Sequence, residues 1–186
     1  MSVLSWIPLA LVTLVHLAAL AAGAATAASL SQVLLMPALA VVLLALPREG
    51  RGPSWRWALG ALAASWVGDS LPKVVPEDAR FLAMVGGFAV AQVLWVVAFT
   101  RVPRGRPPLA FTLLLIAVAA ALLAVTVPQA GALAPAVVVY GLLLAATAYL
   151  AASHGWVGGL GGALFVLSDG PARRRGVPPG RGPRGD

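Results

Sequence analysis

The sequence predicts an all-α polytopic membrane protein of about seven helices, and three observations carry that prediction. Apolar runs of about twenty residues recur along the chain, each long enough to cross a ~30 Å hydrocarbon core as a helix. Hydrophobic residues make up 60% of the 186 and charged residues only 10%, with a mean hydropathy of +0.93, a balance unlike that of a soluble globular domain. Prolines, glycines and arginines collect between the runs, where breaks and loops belong.

The first run, Val3 to about Ala25, ends in small residues but lacks the basic opening of a signal peptide, so it reads as a retained helix. The second, Leu30 to Leu46, stops at Pro47 and a charged loop holding Arg48, Glu49 and Arg51. Trp55 and Trp57 then suit interfacial anchors opening a third helix that reaches about Leu71. Pro72 and Pro76 break the chain, and a fourth helix runs from Phe81 to Phe99 into Arg101, Arg104, Arg106 and two prolines. The fifth spans Leu109 to Val127, the sixth Leu133 to Ala152, and a shorter, glycine-rich seventh Trp156 to about Asp169. Residues 1–169 therefore form the membrane domain, and 170–186, rich in Gly, Pro and Arg, offer almost nothing to bury and are expected to be disordered.

The formal charge of +7 does not point to nucleic acid, because the arginines lie between apolar runs or in the tail and make no basic face interleaved with aromatics. They read instead as a topology signal. The loops after helices two and four carry net charges of +2, counting Arg48, Glu49, Arg51 and Arg56, and +3, counting Arg101, Arg104 and Arg106, which places both, and the N-terminus, in the cytoplasm under the positive-inside rule. The same rule leaves the tail arginines on the wrong side after seven crossings. With Lys73 the one lysine against twelve arginines, and Ala, Gly and Pro abundant, the composition suggests a GC-rich bacterium and its cell membrane.

The chain has no cysteine, which excludes disulfides, thiolate metal sites and a thiol nucleophile, and His16 and His154 alone make a poor metal set. No metal or redox cofactor is expected, and chemistry falls to carboxylates, hydroxyls and amides. Ionisable residues in apolar helices are functional candidates by default. Two aspartates qualify: Asp69, ending Ser65-Trp66-Val67-Gly68-Asp69 on helix three, and Asp169, ending Leu164-Phe165-Val166-Leu167-Ser168-Asp169 on helix seven. Both helices are odd-numbered, so both carboxylates belong at the same membrane face, where they can share a pocket. The alternative is that each marks a helix end, with Asp69 pairing with Lys73 four residues on. On helix four Phe88, Gln92, Trp95 and Phe99 share a face, which suits interhelical hydrogen bonding and aromatic packing as well as a ligand site. Tyr140 on helix six has similar standing. The glycines at 158, 159, 161 and 162 suit close helix packing, and His16 suits a satisfied packing residue.

Together these motifs resemble the YhhN family of membrane lysoplasmalogenases over roughly residues 30 to 169. The resemblance rests on Ser65 to Asp69, on the helix-four pattern from Phe81 through Gly87-Phe88 to Phe99, on Tyr140, and on Gly162 to Asp169. Leu35-Met36-Pro37 is similar to the family's second helix, with Gln32-Val33 where Lys-Pro is usual, and Gln92 and Trp95 stand where His and Tyr are common. The family has an eighth apolar helix after the Ser-Asp motif, where this chain passes into Gly170-Pro171-Ala172-Arg173.

The resemblance implies an integral membrane hydrolase that splits the vinyl ether bond of a lysoplasmalogen into a fatty aldehyde and a glycerophosphoalcohol. Asp69 and Asp169 would be its catalytic pair, with Ser65, Gln92, Trp95, Tyr140, Ser168 and Lys73 around the substrate. Its partners would be a lysophospholipid and the bilayer, with no nucleic acid. Two other readings stay open at the level of sequence: a small proton-coupled transporter whose aspartates titrate during alternating access, and a catalytically inactive member of the family.

Overall fold

The computed structural model describes residues 3–168; the expectations for Asp169 and for the tail at 170–186 lie outside the described residues. Within them the chain forms seven α-helices: α1 Ile7–Ala21, α2 Ala25–Leu44, α3 Trp55–Ser70, α4 Glu77–Thr100, α5 Leu109–Thr126, α6 Ala134–Ala152 and α7 Trp156–Ser168. Five stretches, those containing α1, α2, α4, α5 and α6, are long and apolar enough to cross a membrane. These features mark a multi-pass membrane protein. The 16-residue α3 and 13-residue α7 are shorter.

Two helices begin earlier than their hydropathy suggests. α4 starts at Glu77, because Pro76 sets up its N-terminus and Glu77 and Asp78 sit in its first turn, where carboxylates favour the positive end of the helix dipole. α2 starts at Ala25, directly after a turn in which Gly23 takes a φ of 67°, a conformation that costs glycine little. Pro37 lies inside α2 and cannot donate to the carbonyl one turn back.

Neighbouring helices pack in the order α1, α2, α3, α4, α6 and α7, with α5 against α6. The contacts use small residues, as expected where lipid already solvates large apolar side chains. A Cβ on Gly87 of α4 would come within 2.6 Å of the Gly68 Cα on α3, and Phe88 covers Gly68 from the same side. Gly162 of α7 lies almost as close against Ala148 of α6, while Gly158 meets the Ala151 carbonyl. Ala61, Ala91, Ala98 and Ala148 are all buried, whereas Leu113, Leu114 and Ile116 on α5 and Leu11, Leu14 and Leu17 on α1 stand exposed, as lipid-facing residues do.

These contacts fix direction and depth. The Gly68–Gly87 and Gly60–Leu94 contacts make α3 and α4 antiparallel. Phe99 and His154 meet at the ends of α4 and α6, making that pair parallel. α7 runs back along α6, so α3 and α7 point the same way. Counting along the helices from Gly162, Ser168 is level with Leu142 on α6. Through Phe99–His154 and Gly68–Gly87 that level continues to the end of α3, next to Asp69.

Candidate active site

Asp69 is the penultimate residue of α3 and is half-buried. A carboxylate in the last turn of a helix faces the negative end of the dipole, which costs about 0.3–1 kcal/mol, so Asp69 is not placed to cap its own helix. The Gly68–Gly87 approach seats this end of α3 against α4, while α2 passes on another side. From there Gln32 Nε2 donates a 2.7 Å hydrogen bond to Asp69 Oδ1. Gln32 was visible in the sequence only as a departure at the second helix; nothing in its spacing marks it as the partner of a residue on another helix.

Two more polar groups belong to this end. Ser65, one turn before Asp69, is 6% exposed, and the hydroxyl of Ser70, next to Asp69, is buried without a hydrogen-bond partner. Sequence reasoning missed Ser70, which reads as an ordinary helix-end serine. Lys73 follows in the Leu71–Lys73 turn and is exposed. Tyr140 lies near the start of α6, at the Asp69 end of the bundle, and lines a cavity of about 100 Å³ with Leu123, Thr126, Leu144 and Val166.

Among the described residues Gln92 is the largest completely buried side chain, with 0% exposure. The expectation of an interhelical hydrogen bond fails here: both amide atoms, Nε2 and Oε1, are buried without a partner. Gln92 is sealed from solvent within the bundle, as are Ala91 on its own helix and Ala61 on α3. It sits about 8 Å deeper than Gly87, five residues further along α4.

Trp95 does not join Asp69. It stacks on Phe99 with centroids 5.7 Å apart, and Phe99 meets the His154 ring at 5.5 Å, all at the opposite end of the bundle. His16 forms a 2.9 Å hydrogen bond between Nδ1 and Ser31 Oγ that ties α1 to α2, in keeping with a satisfied packing residue. Ser168 closes α7 as described by its backbone, and Asp169 lies outside the described residues.

A bundle of long apolar helices with a half-buried carboxylate held by an amide at one end belongs to the class of multi-pass helical membrane proteins. Within it the chain belongs to the YhhN family, which matches it over residues 27–171. The match spans α2 to α7 and leaves α1 outside. No curated protein and no solved structure matches the chain.

Proposed function

We propose that this protein is a lysoplasmalogenase-like hydrolase, cleaving the vinyl ether bond of 1-alkenyl lysophospholipids with Asp69 and Asp169 as its acid/base pair. The observation that carries the reading is Asp69 itself, a half-buried carboxylate hydrogen-bonded by Gln32 at the end of α3 toward which α7 also runs. Family membership and the Ser168-Asp169 motif of the sequence support it.

The chemistry suits two carboxyl groups sharing one proton. The protonated one delivers its proton to the alkene carbon remote from the ether oxygen, giving an oxocarbenium ion. The ionised one stabilises that cation and accepts a proton from the water that adds to it. In the resulting hemiacetal the carboxyl group just protonated gives its proton to the glyceryl oxygen while the other carboxylate takes the hydroxyl proton, so the C–O bond breaks and the fatty aldehyde and the alcohol are released. One water is consumed, and both carboxyl groups return to their starting states.

In this reading the lysolipid phosphate sits at the interface near Lys73, with Arg80 beside it on α4. Ser65 and Tyr140 border the reacting segment, and Ser168 precedes its catalytic neighbour. Gln92 turns its unpaired amide toward the substrate from deeper in the bundle, and Trp95, at the opposite end, takes no part. The membrane is the bacterial cell membrane, with the arginine-rich loops inside.

The test is release of fatty aldehyde from a lysoplasmalogen by the purified protein in detergent. Aldehyde formed in proportion to protein supports the reading. Passage of substrate across a vesicle membrane without bond cleavage would instead establish the transporter, and neither result an inactive family member.

A further inference from the structure

The end of the bundle opposite Asp69 carries a feature that the proposed hydrolysis does not use. Between the start of α3 and the end of α4 lies a cleft of about 290 Å³, lined by Ser54, Ala58, Trp95, Phe99, Val102 and His154. Ala58 and Asp69 are eleven residues apart on α3, about 16 Å along the helix, so this cleft and the carboxylate are separate places. Its size is near the ~300 Å³ at which small-molecule pockets begin, and its walls are mainly aromatic and aliphatic.

The charge around it is one-sided. Arg48, Arg51, Arg56, Arg101, Arg104 and Arg106 all belong to the two loops and the α3 start at this end, against one acid, Glu49. The loops converge there: the Arg101 guanidinium lies over the Trp57 ring at 5.7 Å and that of Arg51 over Trp55 at 4.6 Å. Arg51 also donates to the Leu44 and Leu46 carbonyls, and Arg104 to the Thr100 carbonyl. Among the described residues Arg51, Arg101 and Arg104 are thus held by carbonyls and indole rings rather than by carboxylates, which leaves their positive charge uncompensated.

We propose that this cleft binds one anionic phospholipid of the surrounding bilayer, its phosphate among Arg56, Arg101 and Arg104 and the first part of one acyl chain against Trp95, Phe99 and His154. Charge complementarity selects the occupant. An anion without a chain would leave the aromatic wall uncovered, and a zwitterionic lipid would bring a cation of its own into the arginine cluster. Tryptophans 55, 57 and 95 set the cleft near the interface, where a phospholipid presents phosphate and hydrocarbon together. Basic pockets between membrane helices bind anionic head groups on this principle.

The experiment uses the full chain in detergent micelles doped with phosphatidylglycerol or, separately, phosphatidylcholine. Native mass spectrometry counts the retained lipid and thermal unfolding reports its effect. The expected result is one phosphatidylglycerol retained per chain, a midpoint that rises and saturates with phosphatidylglycerol, and no comparable rise with phosphatidylcholine. Two variants approach the site from its two halves. R101Q/R104Q removes two cations, and apparent phosphatidylglycerol affinity should fall about tenfold or more. S54F fills the cleft, leaves every arginine in place and takes away no capping bond, since the Ser54 side chain makes none at the start of α3. It should also abolish retention. Equal stabilisation by both lipids overturns the proposal. So does an S54F protein, folded by circular dichroism, that retains phosphatidylglycerol as the wild type does, because the arginines would then be acting as a diffuse surface.

Discussion

Gln32 and Asp69, 37 residues apart in sequence, meet through a 2.7 Å hydrogen bond in which the amide nitrogen donates to the carboxylate. The bond links α2 to α3. One residue earlier, Ser31 meets His16 of α1, and successive helical residues point about 100° apart. A single turn of α2 therefore serves two neighbours, with one polar contact holding α1 and the next holding the candidate catalytic carboxylate.

If the amide orients Asp69, its loss should register in both stability and turnover. A hydrogen bond to a charged group contributes about 1.5–3 kcal/mol, so Gln32→Leu is expected to lower the unfolding midpoint in detergent and to reduce aldehyde release. Gln32→Glu should be worse, since it places a second carboxylate against the first. Gln32→Lys keeps a donor and should remain close to wild type in stability. A Gln32→Leu protein matching the wild type in both measurements would show that the bond has no consequence.

Gln92 gives a prediction of opposite sign for stability and activity. A buried amide without partners costs about 1–3 kcal/mol in protein mutational data, so Gln92→Met, similar in size and apolar, is expected to raise the unfolding midpoint. The same variant should lose activity if the amide meets the substrate, the trade expected of a polar group kept for function. A lowered midpoint would mean that a bound water or lipid already satisfies the amide.

The α3–α4 crossing should tolerate no added methyl group. Gly87→Ala would place its Cβ 2.6 Å from the Gly68 Cα, backbone against side chain with no flexible group to yield, and overpacking of this kind costs about 1–3 kcal/mol. At Gly86, its neighbour, an added Cβ would meet nothing within 4 Å. Gly86→Ala is therefore expected to be neutral, or stabilising by no more than ~1 kcal/mol through helix propensity. Comparable losses from both variants, measured by thermal unfolding, would place the sensitivity in the helix rather than in the crossing.

Hydropathy made the helices legible because length and apolar content are local properties. It placed the start of α4 four residues late, since Glu77 and Asp78 count against an apolar run even though they favour a helix N-terminus. Facing was harder to read. With lipid outside and small apolar residues inside, polarity marks the facing of α5 poorly, and the partners of Gln32, His16 and Trp95 depend on which helices become neighbours. Trp95 and Asp69 both stood out in the sequence, and the order of the helices sends them to opposite ends. Asp69 could be singled out because a carboxylate is costly in an apolar helix wherever it lies.

The arginine-rich loops converge where Arg101 lies over Trp57, so reporters fused at Arg51 and at Arg104 should give the same side of the membrane, the cytoplasm, and one at Lys73 the other. A cytoplasmic signal at Lys73 would invert the proposed orientation. A disagreement between Arg51 and Arg104 would contradict the helix count between them.

The last prediction concerns the aspartate pair. Asn at either Asp69 or Asp169 keeps size and hydrogen bonding but removes the titrating proton, so each single variant should lose nearly all aldehyde release while unfolding close to the wild-type midpoint. Groups that act as one unit are strongly non-additive, so the double variant should be scarcely slower than either single one. Independent roles would instead multiply the two losses. If Asp69→Asn keeps most of the activity in a well-folded protein, Asp69 is reduced to an interhelical partner of Gln32, and the two-carboxylate mechanism has to be given up even if Asp169→Asn is inactive.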